Sequence, residues 1–562
     1  MQLDIAGSDI GRFTLNGQYG TPENPKANNH VNISSSKLES IGLISGAGLN
    51  TVNVLSSEIT GTNTNDHMEG IAIRIQDTRN NTVNVKNSVI RGNIENITKY
   101  DQDTEDFNNV INLDNSYFEG AVVVTATHPG STINMDNNTT WVAKGESHAE
   151  NLNITDSTVD IQDAIVGADN WYSGNTNVLI NSESQLNIGT GSGDMNVIIK
   201  SDGREVDTAG REIIHIQNGD IDIKADDVDL GAYKYQLVNK DGKWVLIRVS
   251  NDDTAVVLSG SANAVLSGLA APLASWNSQT NTVYERLNSR LTENEGSVWG
   301  TYYGSEWAGE AGLSSAFNQK INGMAIGADK TLSLDNGRVT FGAAVMHDYS
   351  HLSGFDIRGS GGSMNSTAVQ VYGRLAMDNG LFFKGTVSAG RADSKLHANA
   401  SDGAVARADY KQNLFGLTGQ AGYRYQVTPD VYVAPYAGMN GYTASGADFN
   451  LDNGMQVNSD RYWSARGELG MEAGVNTTVG GIAVTPHMTI AAGHEFVKNN
   501  NVHFNGAGRG FNNTVDGSGY KAGAGVDAQL TENLSGAVSV NYSHSKDTEQ
   551  RFGVTAGVRY SF

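Results

Sequence analysis

The chain has no cysteine, few prolines (7) and fewer basic than acidic residues (38 against 61). Each shortage excludes something. Without cysteine there is no disulfide and no thiolate metal site, and no thiol to cross-link in an oxidising compartment. The net charge of −23 leaves nothing to neutralise phosphates, so a nucleic-acid partner is excluded. Long apolar runs are missing too. No stretch of about 18 consecutive apolar residues exists, so a transmembrane helix is ruled out, and a closed β-barrel is the remaining route through a bilayer. What is abundant is glycine, 66 in 562 residues, in a chain too long for one ordinary core.

The first part repeats itself. VNISSSKL at Val31, TVNVLSSEITG at Thr51, TVNVKNSVIRG at Thr82, VINLDNSYFEG at Val110, TINMDNNTTWV at Thr132 and LNITDSTVDI at Leu152 are variations of one phrase. VLINSESQLNIG at Val178 is a looser copy. An asparagine precedes the central apolar residue at Asn32, Asn53, Asn84, Asn112, Asn134 and Asn153. The copies lie about 19 to 31 residues apart, a range typical of solenoids whose turns carry insertions. Each reads as a short strand, a polar Asx- or Ser-containing turn and a second short strand. One unit cannot bury its apolar side chains, whereas a stack can. A right-handed parallel β-helix of about eight to ten rungs, roughly 40–50 Å long, is predicted for residues 1–225. A β-sandwich is the competing reading; it favours regular strand spacing, and the irregular insertions argue against it. Insertions such as Thr62–Gly70 would project sideways, where binding usually resides.

Gly231–Val249, GAYKYQLVNKDGKWVLIRV, places two apolar-aromatic runs around Asp241-Gly242, a strong hairpin signal. Such a hairpin at 226–250 would cover the open last rung. Residues 251–296 change to alanine, leucine, serine and long polar residues, and Val283, Leu287 and Leu291 recur at helical spacing.

From 297 onward the chain divides into twelve runs of alternating character. In Leu381–Gly390, Leu381, Phe383, Val387 and Ala389 oppose Phe382, Lys384, Thr386 and Ser388. In the terminal RFGVTAGVRYSF, Phe562, Tyr560, Val558, Ala556, Val554 and Phe552 oppose Ser561, Arg559, Gly557, Thr555, Gly553 and Arg551. Such a strand puts an apolar face toward lipid and a polar face toward a wet lumen. Tight turns at Asp335-Asn336-Gly337, Asp378-Asn379-Gly380, Thr428-Pro429-Asp430, Val479-Gly480-Gly481 and Thr531-Glu532-Asn533 are expected to alternate strictly with long connections at 351–366, 394–409, 445–461 and 497–518. The fold class is therefore all-β: a parallel β-helix, a linker helix and a twelve-stranded antiparallel transmembrane β-barrel at 297–562.

The terminal VRYSF, the opening strand VWGTYYG at Val298–Gly304 and the YKYQLVNKDGKWVL hairpin together resemble the monomeric type V autotransporters. The resemblance covers the whole chain apart from a signal peptide. It implies a Gram-negative outer-membrane barrel, with a surface passenger at 1–225. Tyr233, Tyr235 and Trp244 would belong to an autochaperone cap, and the linker helix would lie inside the barrel. Phe562, Tyr560 and Val558 would form the signal read by the barrel-assembly machinery, with periplasmic chaperones as further partners. Outer-membrane lipid and a host or bacterial surface ligand complete the implied partners, and a monomer is expected. Some relatives cut themselves at paired asparagines in this helix. Asn277, Asn281 and Asn288 lie in that region, with Asn277 and Asn281 the candidates, yet no tandem asparagine is present, so a passenger that stays attached is expected. The start, MQLDIAGSDI, lacks the basic and apolar regions of a signal peptide, so a processed or truncated form is expected.

Catalytic chemistry finds little support. A serine hydrolase needs a glycine-flanked serine with a histidine base, and neither GDSGS nor GDSL occurs. Asp66, His67 and Glu69 form a short acidic-histidine cluster without further histidine support, so no metal and no cofactor is expected. An adhesive or self-associating passenger is the first reading. An enzyme or toxin passenger whose active region lies outside this chain is the alternative.

Overall fold

The computed structural model describes residues 1–562 except 17–27, 45–47, 62–69, 98–106, 126–129, 208, 252–254, 290–295, 310–316, 356–357, 507–509 and 516. Asp66, His67 and Glu69 lie outside the described residues. The chain forms two compact units, residues 1–230 with 234–257, and residues 231–233 with 258–562.

The first unit is a parallel β-helix. Its first stack begins with Gln2–Ala6, His30–Ser34, Thr51–Leu55, Thr82–Lys86, Val110–Asp114 and Thr132–Asp136, each pairing in parallel with the next. It continues through 151–155, 170–174, 190–194 and 218–222. Alternate side chains point inward, so Val31, Ile33, Val52, Val54, Val83, Val85, Ile111 and Leu113 form a narrow buried column.

Register decides what the polar positions do. The repeated asparagines stack directly, each amide nitrogen donating to the side-chain oxygen one rung before: Asn53 to Asn32 at 2.8 Å, Asn84 to Asn53 at 2.8 Å, Asn112 to Asn84 at 2.7 Å, Asn134 to Asn112 at 2.7 Å and Asn153 to Asn134 at 2.8 Å. Two interior ladders accompany them. Asn29, Asn50, Asn81 and Asn109 stack at one corner, where Asn50 Nδ2 donates to Asn81 Oδ1 at 2.9 Å and Asn81 Nδ2 to Asn109 Oδ1 at 3.0 Å. At another corner the hydroxyls of Ser36, Ser57, Ser88 and Ser116 each accept from the backbone N–H of the preceding serine in the column. Just before these serines the chain adopts positive φ at Ser35, Ser56, Asn87 and Asn115, a left-handed conformation that polar short side chains tolerate.

The copy at Val178 departs from the expected phase. Asn177–Leu179 pairs with Thr158–Asp160 and so belongs to a neighbouring face of the helix. The first stack is continued instead by 170–174, where buried Trp171 follows Leu152 and Tyr172 follows Asn153. A buried indole takes the inward position there, and the repeat phrase becomes unrecognisable.

The second unit is a closed barrel of twelve antiparallel strands: β1 (Gly296–Gly309), β2 (Phe317–Leu334), β3 (Gly337–Ser353), β4 (Gly361–Met377), β5 (Leu381–Asn399), β6 (Val405–Tyr423), β7 (Val431–Ala444), β8 (Tyr462–Val475), β9 (Ile482–Glu495), β10 (Gly517–Gln529), β11 (Leu534–Ser545) and β12 (Thr548–Ser561). Each pairs with its sequence neighbour, and β1 pairs with β12 to close the ring. The outward residues are apolar and exposed, for example Met324, Ile326, Phe341, Val345, Val369 and Leu417. The inward ones are polar or small, so the barrel is inside-out relative to a soluble protein.

Connections on one rim are short throughout, such as Asp335-Asn336 and the 378–380 turn. The other rim corrects the expected strict alternation. β5 and β6 run on to leave only 400–404, and β11 and β12 are joined by Lys546-Asp547. At 19 residues each, β5 and β6 exceed the roughly 10 needed to span a bilayer, so they continue as a hairpin beyond it. The connections 445–461 and 496–516 do remain long.

The expected linker helix precedes the barrel in two segments, α1 (Gly260–Ala270) and α2 (Pro272–Asn288). Pro272 lacks the N–H that a continuous helix would use, which divides them at Ala271. Ser259 caps α1 by accepting from Ala262 N at 3.1 Å. Among the described residues no helix is long and apolar enough to cross a membrane.

Candidate functional site

The site is the barrel lumen and the helix that occupies it. The inward phase of the strands supplies polar groups, and α2 meets them on several sides. Val283 and Leu287 seat its apolar stripe against Trp299, Tyr303, Ile321 and Met346 of β1 to β3. Leu291, the third expected member of that stripe, lies outside the described residues. Above this contact Asp348 of β3 is wholly buried and gathers three donors: Ser275 Oγ, Gln279 Nε2 at 2.6 Å and Tyr303 OH at 3.0 Å. Below it, Arg286 donates to Asp329 at 2.7 Å, and both side chains are nearly inaccessible (7% and 2%). Ser297 and Tyr372 donate to the same carboxylate at 2.6 and 3.0 Å, and Trp299 Nε1 donates to Tyr372 OH at 2.7 Å. A buried ion pair persists only when its remaining lone pairs are satisfied in this way.

The opposite wall contributes as well. Trp276 Nε1 donates to Ser388 Oγ at 2.9 Å, Tyr284 OH to Thr418 at 2.7 Å, and Arg374 to the carbonyl of Leu287 at 2.6 Å. Lys384 donates to the amide oxygen of Asn288. His487 of β9 lies 3.5 Å from Glu285 on the helix and 3.5 Å from Asp527 of β10. The helix is thus tied to six or more strands of the wall. Of these partners, Lys384 was placed on the polar face of its strand by the sequence, whereas Asp329, Asp348, Arg374 and His487 were not singled out. Their signal was available: each is a polar residue on the inward phase of a strand.

Asn277, Asn281 and Asn288 line a lumenal cavity of about 120 Å³ together with Tyr284, Glu285, Glu468, Glu472 and Lys521. Asn277 and Asn281 are half-buried on this side of α2.

The terminal strand sits where the alternation put it up to a bulge. Val558, Tyr560 and Phe562 are exposed on the outer face, while Arg559 and Ser561 are buried inside. Phe562 N donates to Gly296 O at 2.9 Å and Gly296 N to Phe562 O at 3.1 Å, completing the seam. Past the seam the register shifts between Glu306 and Trp307. Arg551, expected in the lumen, is instead 47% exposed and pairs with Glu306 at 2.9 Å, while Gln550 is buried. One extra residue reverses the faces of everything beyond it.

The 226–250 hairpin runs through Tyr233–Lys240 and Lys243–Arg248, turning on Asp241 and Gly242 with φ of 55° and 79°. Positive φ at both central positions is the type I′ hairpin that Asp-Gly favours. Its second strand pairs antiparallel with the last rung, Trp244 facing Ile214. Tyr235 is fully buried; its hydroxyl donates to Val206 O at 3.0 Å and accepts from Val206 N at 3.2 Å and Arg248 Nε at 3.2 Å. Burial raises its phenol above the ordinary value, opposed by the Arg248 hydrogen bond. Tyr233 parts company with Tyr235. It belongs to the second unit, its ring 5.7 Å from that of Phe511.

An autotransporter β-domain family model matches residues 298–541, and a pertactin model matches residues 161–248. The barrel is an autotransporter β-domain, and the chain as a whole is similar to type V autotransporters. It is 28% identical over 407 residues to autotransporter CRAC of Citrobacter rodentium, covering 69% of this chain and 25% of that one. It is 25% identical over 444 residues to the autotransporter adhesin/invasin TibA of Escherichia coli O78:H11, covering 69% of this chain and 45% of that one. The crystal structure of the β domain of the Bordetella autotransporter BrkA covers 48% of this chain and all of its own, with 24% identity and a TM-score of 0.41. The chain spans under half the length of the curated relatives it matches, 25% of CRAC and 45% of TibA. The barrel lies in the outer membrane, with the passenger at the cell surface.

Proposed function

We propose that residues 297–562 carry residues 1–250 across the outer membrane and then hold them at the surface, where the passenger acts in adhesion, aggregation or biofilm formation. The observation that carries this reading is α2 seated in the lumen by polar contacts from several walls, with Asp329 and Asp348 at its ends. A chain that emerges from a barrel through such a helix is anchored by it. The passenger leaves as a carboxyl-end hairpin, the cap formed by Tyr235 and Trp244 orders first, and each rung templates the next. Rung formation outside lowers the free energy in the outward direction, and a folded rod cannot slide back through the pore.

Adhesion rather than catalysis is supported by the lack of a serine-hydrolase string and by the long polar ladders, which suit extended surface contact. The relative TibA is described as an adhesin/invasin. The passenger remains attached, since no tandem asparagine is present in α2. The barrel-assembly machinery and periplasmic chaperones are proposed partners, with Phe562, Tyr560 and Val558 as the terminal signal.

The test is external protease treatment of intact cells expressing the full chain, with an aggregation assay alongside. Passenger fragments released from cells with intact periplasmic markers, and clumping that requires the passenger, are expected. A passenger reachable only after lysis would overturn the reading. Deleting Phe562 is expected to lower the amount of heat-modifiable barrel, and unchanged assembly would remove its role as a signal.

A further inference from the structure

The two long connections of the outer rim are not loose. Asp448–Asn450 and Gln456–Ser459, from the 445–461 connection, join Asn501–Phe504 and Phe511–Asn512, from 496–516, in one four-stranded antiparallel sheet. The seam between the two connections is the pairing of Val457, Asn458 and Ser459 with Phe504, His503 and Val502. Phe449 stacks on Tyr410 of β6, ring centres 4.6 Å apart, and Arg407 N donates to Asp452 at 2.7 Å. The sheet rooted in β7 to β10 is therefore strapped to β6.

Its inner face is apolar. Val457, Val502 and Phe504 are buried, and they belong to one continuous cluster with Val265, Leu266 and Leu269 of α1. The same cluster reaches Phe317 at the start of β2 and Phe355 just after β3, so it crosses the mouth from wall to wall. Every residue of α1 is buried, and none of them is charged. The fit is close: a Cβ on Gly268 would come within 2.8 Å of both Leu396 and Tyr410.

A helix is about 10–12 Å across. A two-stranded hairpin with its side chains needs a passage of about the same width, roughly 10 Å. With α1 buried along its whole length, the mouth has no room for a hairpin beside it. We propose that the two connections form a latch that closes on α1 once the passenger is out, and seals the outer mouth. The proposal rests on the export reading above. While a polar chain occupies the mouth, the inner face of the sheet has no apolar partner. The arrival of α1, the apolar segment behind the passenger, supplies it. The latch and the lumenal contacts of α2 then hold the linker at two separate levels.

The test uses the full-length chain purified in detergent and reconstituted in planar lipid bilayers. The parent is expected to show little conductance. Val457→Asp with Phe504→Asp places charges in the latch core and is expected to give brief openings of small conductance, because α2 still occupies the lumen, while heat-modifiable mobility is retained. Replacing 448–459 and 501–512 by short glycine-serine links gives a second variant with no latch to misfold, and the same openings are expected. Facing residues on paired strands are within disulfide reach. Because the chain has no cysteine, N458C/H503C creates a single cross-link between the connections. Oxidation is expected to suppress residual openings of this otherwise unaltered latch, and a reductant to restore them. If both latch variants conduct no more than the parent, the proposal is overturned. Failure of the export reading would appear separately, as a parent passenger not displayed on cells.

Discussion

Replacing Asn81 by leucine should damage the passenger far more than replacing Asn84, three residues away. Asn81 is fully buried at a corner of the β-helix, and its side-chain oxygen accepts from both Asn50 N at 3.2 Å and Asn50 Nδ2 at 2.9 Å. Its own Nδ2 donates to Asn109 Oδ1 at 3.0 Å. Leucine removes the acceptor that two buried donors share and the donor to a third group. Each buried polar group deprived of its partner costs about 1–3 kcal/mol; Asn109 Oδ1 keeps its bond from the backbone N–H of residue 81, so the two Asn50 donors set a total of about 2–6 kcal/mol. Asn84 also makes two ladder bonds, to Asn53 at 2.8 Å and from Asn112 at 2.7 Å, but on the outer face where water can replace them. Asn84→Leu should cost about 1–2 kcal/mol, the net worth of exposed hydrogen bonds. The assay is protease resistance of the displayed passenger in a urea series. Stability in a solenoid depends mainly on neighbouring repeats, so cleavage should begin at the rungs flanking residue 81. Equal urea midpoints for the two variants would refute the distinction between buried and outer ladders.

Three further outcomes follow from other contacts. Arg286→Met strands the Asp329 carboxylate inside the barrel and should destabilise the seated helix by about 3–5 kcal/mol, whereas adding Asp329→Leu should recover much of that loss; non-recovery in the double variant, read by heat-modifiable mobility against temperature, would show that the pair is not coupled. Gly193 adopts a φ of +101° with its missing Cβ 1.8 Å from the Ser173 carbonyl, so Gly193→Ala should force the rungs apart and render 173–193 protease-sensitive, and a resistant variant would contradict the close approach. At the cap, the Lys243 hydrogen bond, with His215 beside it, holds the Glu212 carboxyl below its ordinary 4.5. A lowered carboxyl stabilises above its unfolded value and loses that contribution as pH falls through the folded one. Resistance of the cap should therefore decline as pH drops below about 4.5, less steeply in Glu212→Gln; parallel pH curves would exclude this linkage.

Much of this molecule could be read without coordinates because β-structure writes its faces into the sequence with period two. The twelve strands, their lipid-facing residues and the Asp241-Gly242 hairpin depend only on neighbours along the chain. The outer asparagines from Asn32 to Asn153 were visible as a repeat for the same reason. Periodicity fails where one residue is added. The shift beside Trp307 turned Arg551 outward, and the phase change at Asn177 moved Val178 to another face.

Sequence by itself determined the architecture, since alternation, turn chemistry and repeat spacing are local and each excludes a soluble helical or transmembrane-helical design. Tertiary structure alone decided what those elements do to one another. The buried ladder of Asn29, Asn50, Asn81 and Asn109 exists only in the stacked register. Asp329 and Asp348 become anchors only because α2 lies in the lumen, and the sheet over the mouth only because two connections far apart in sequence meet at Val457 and Phe504. Those pairings join residues far apart along the chain, and no period along the chain records them.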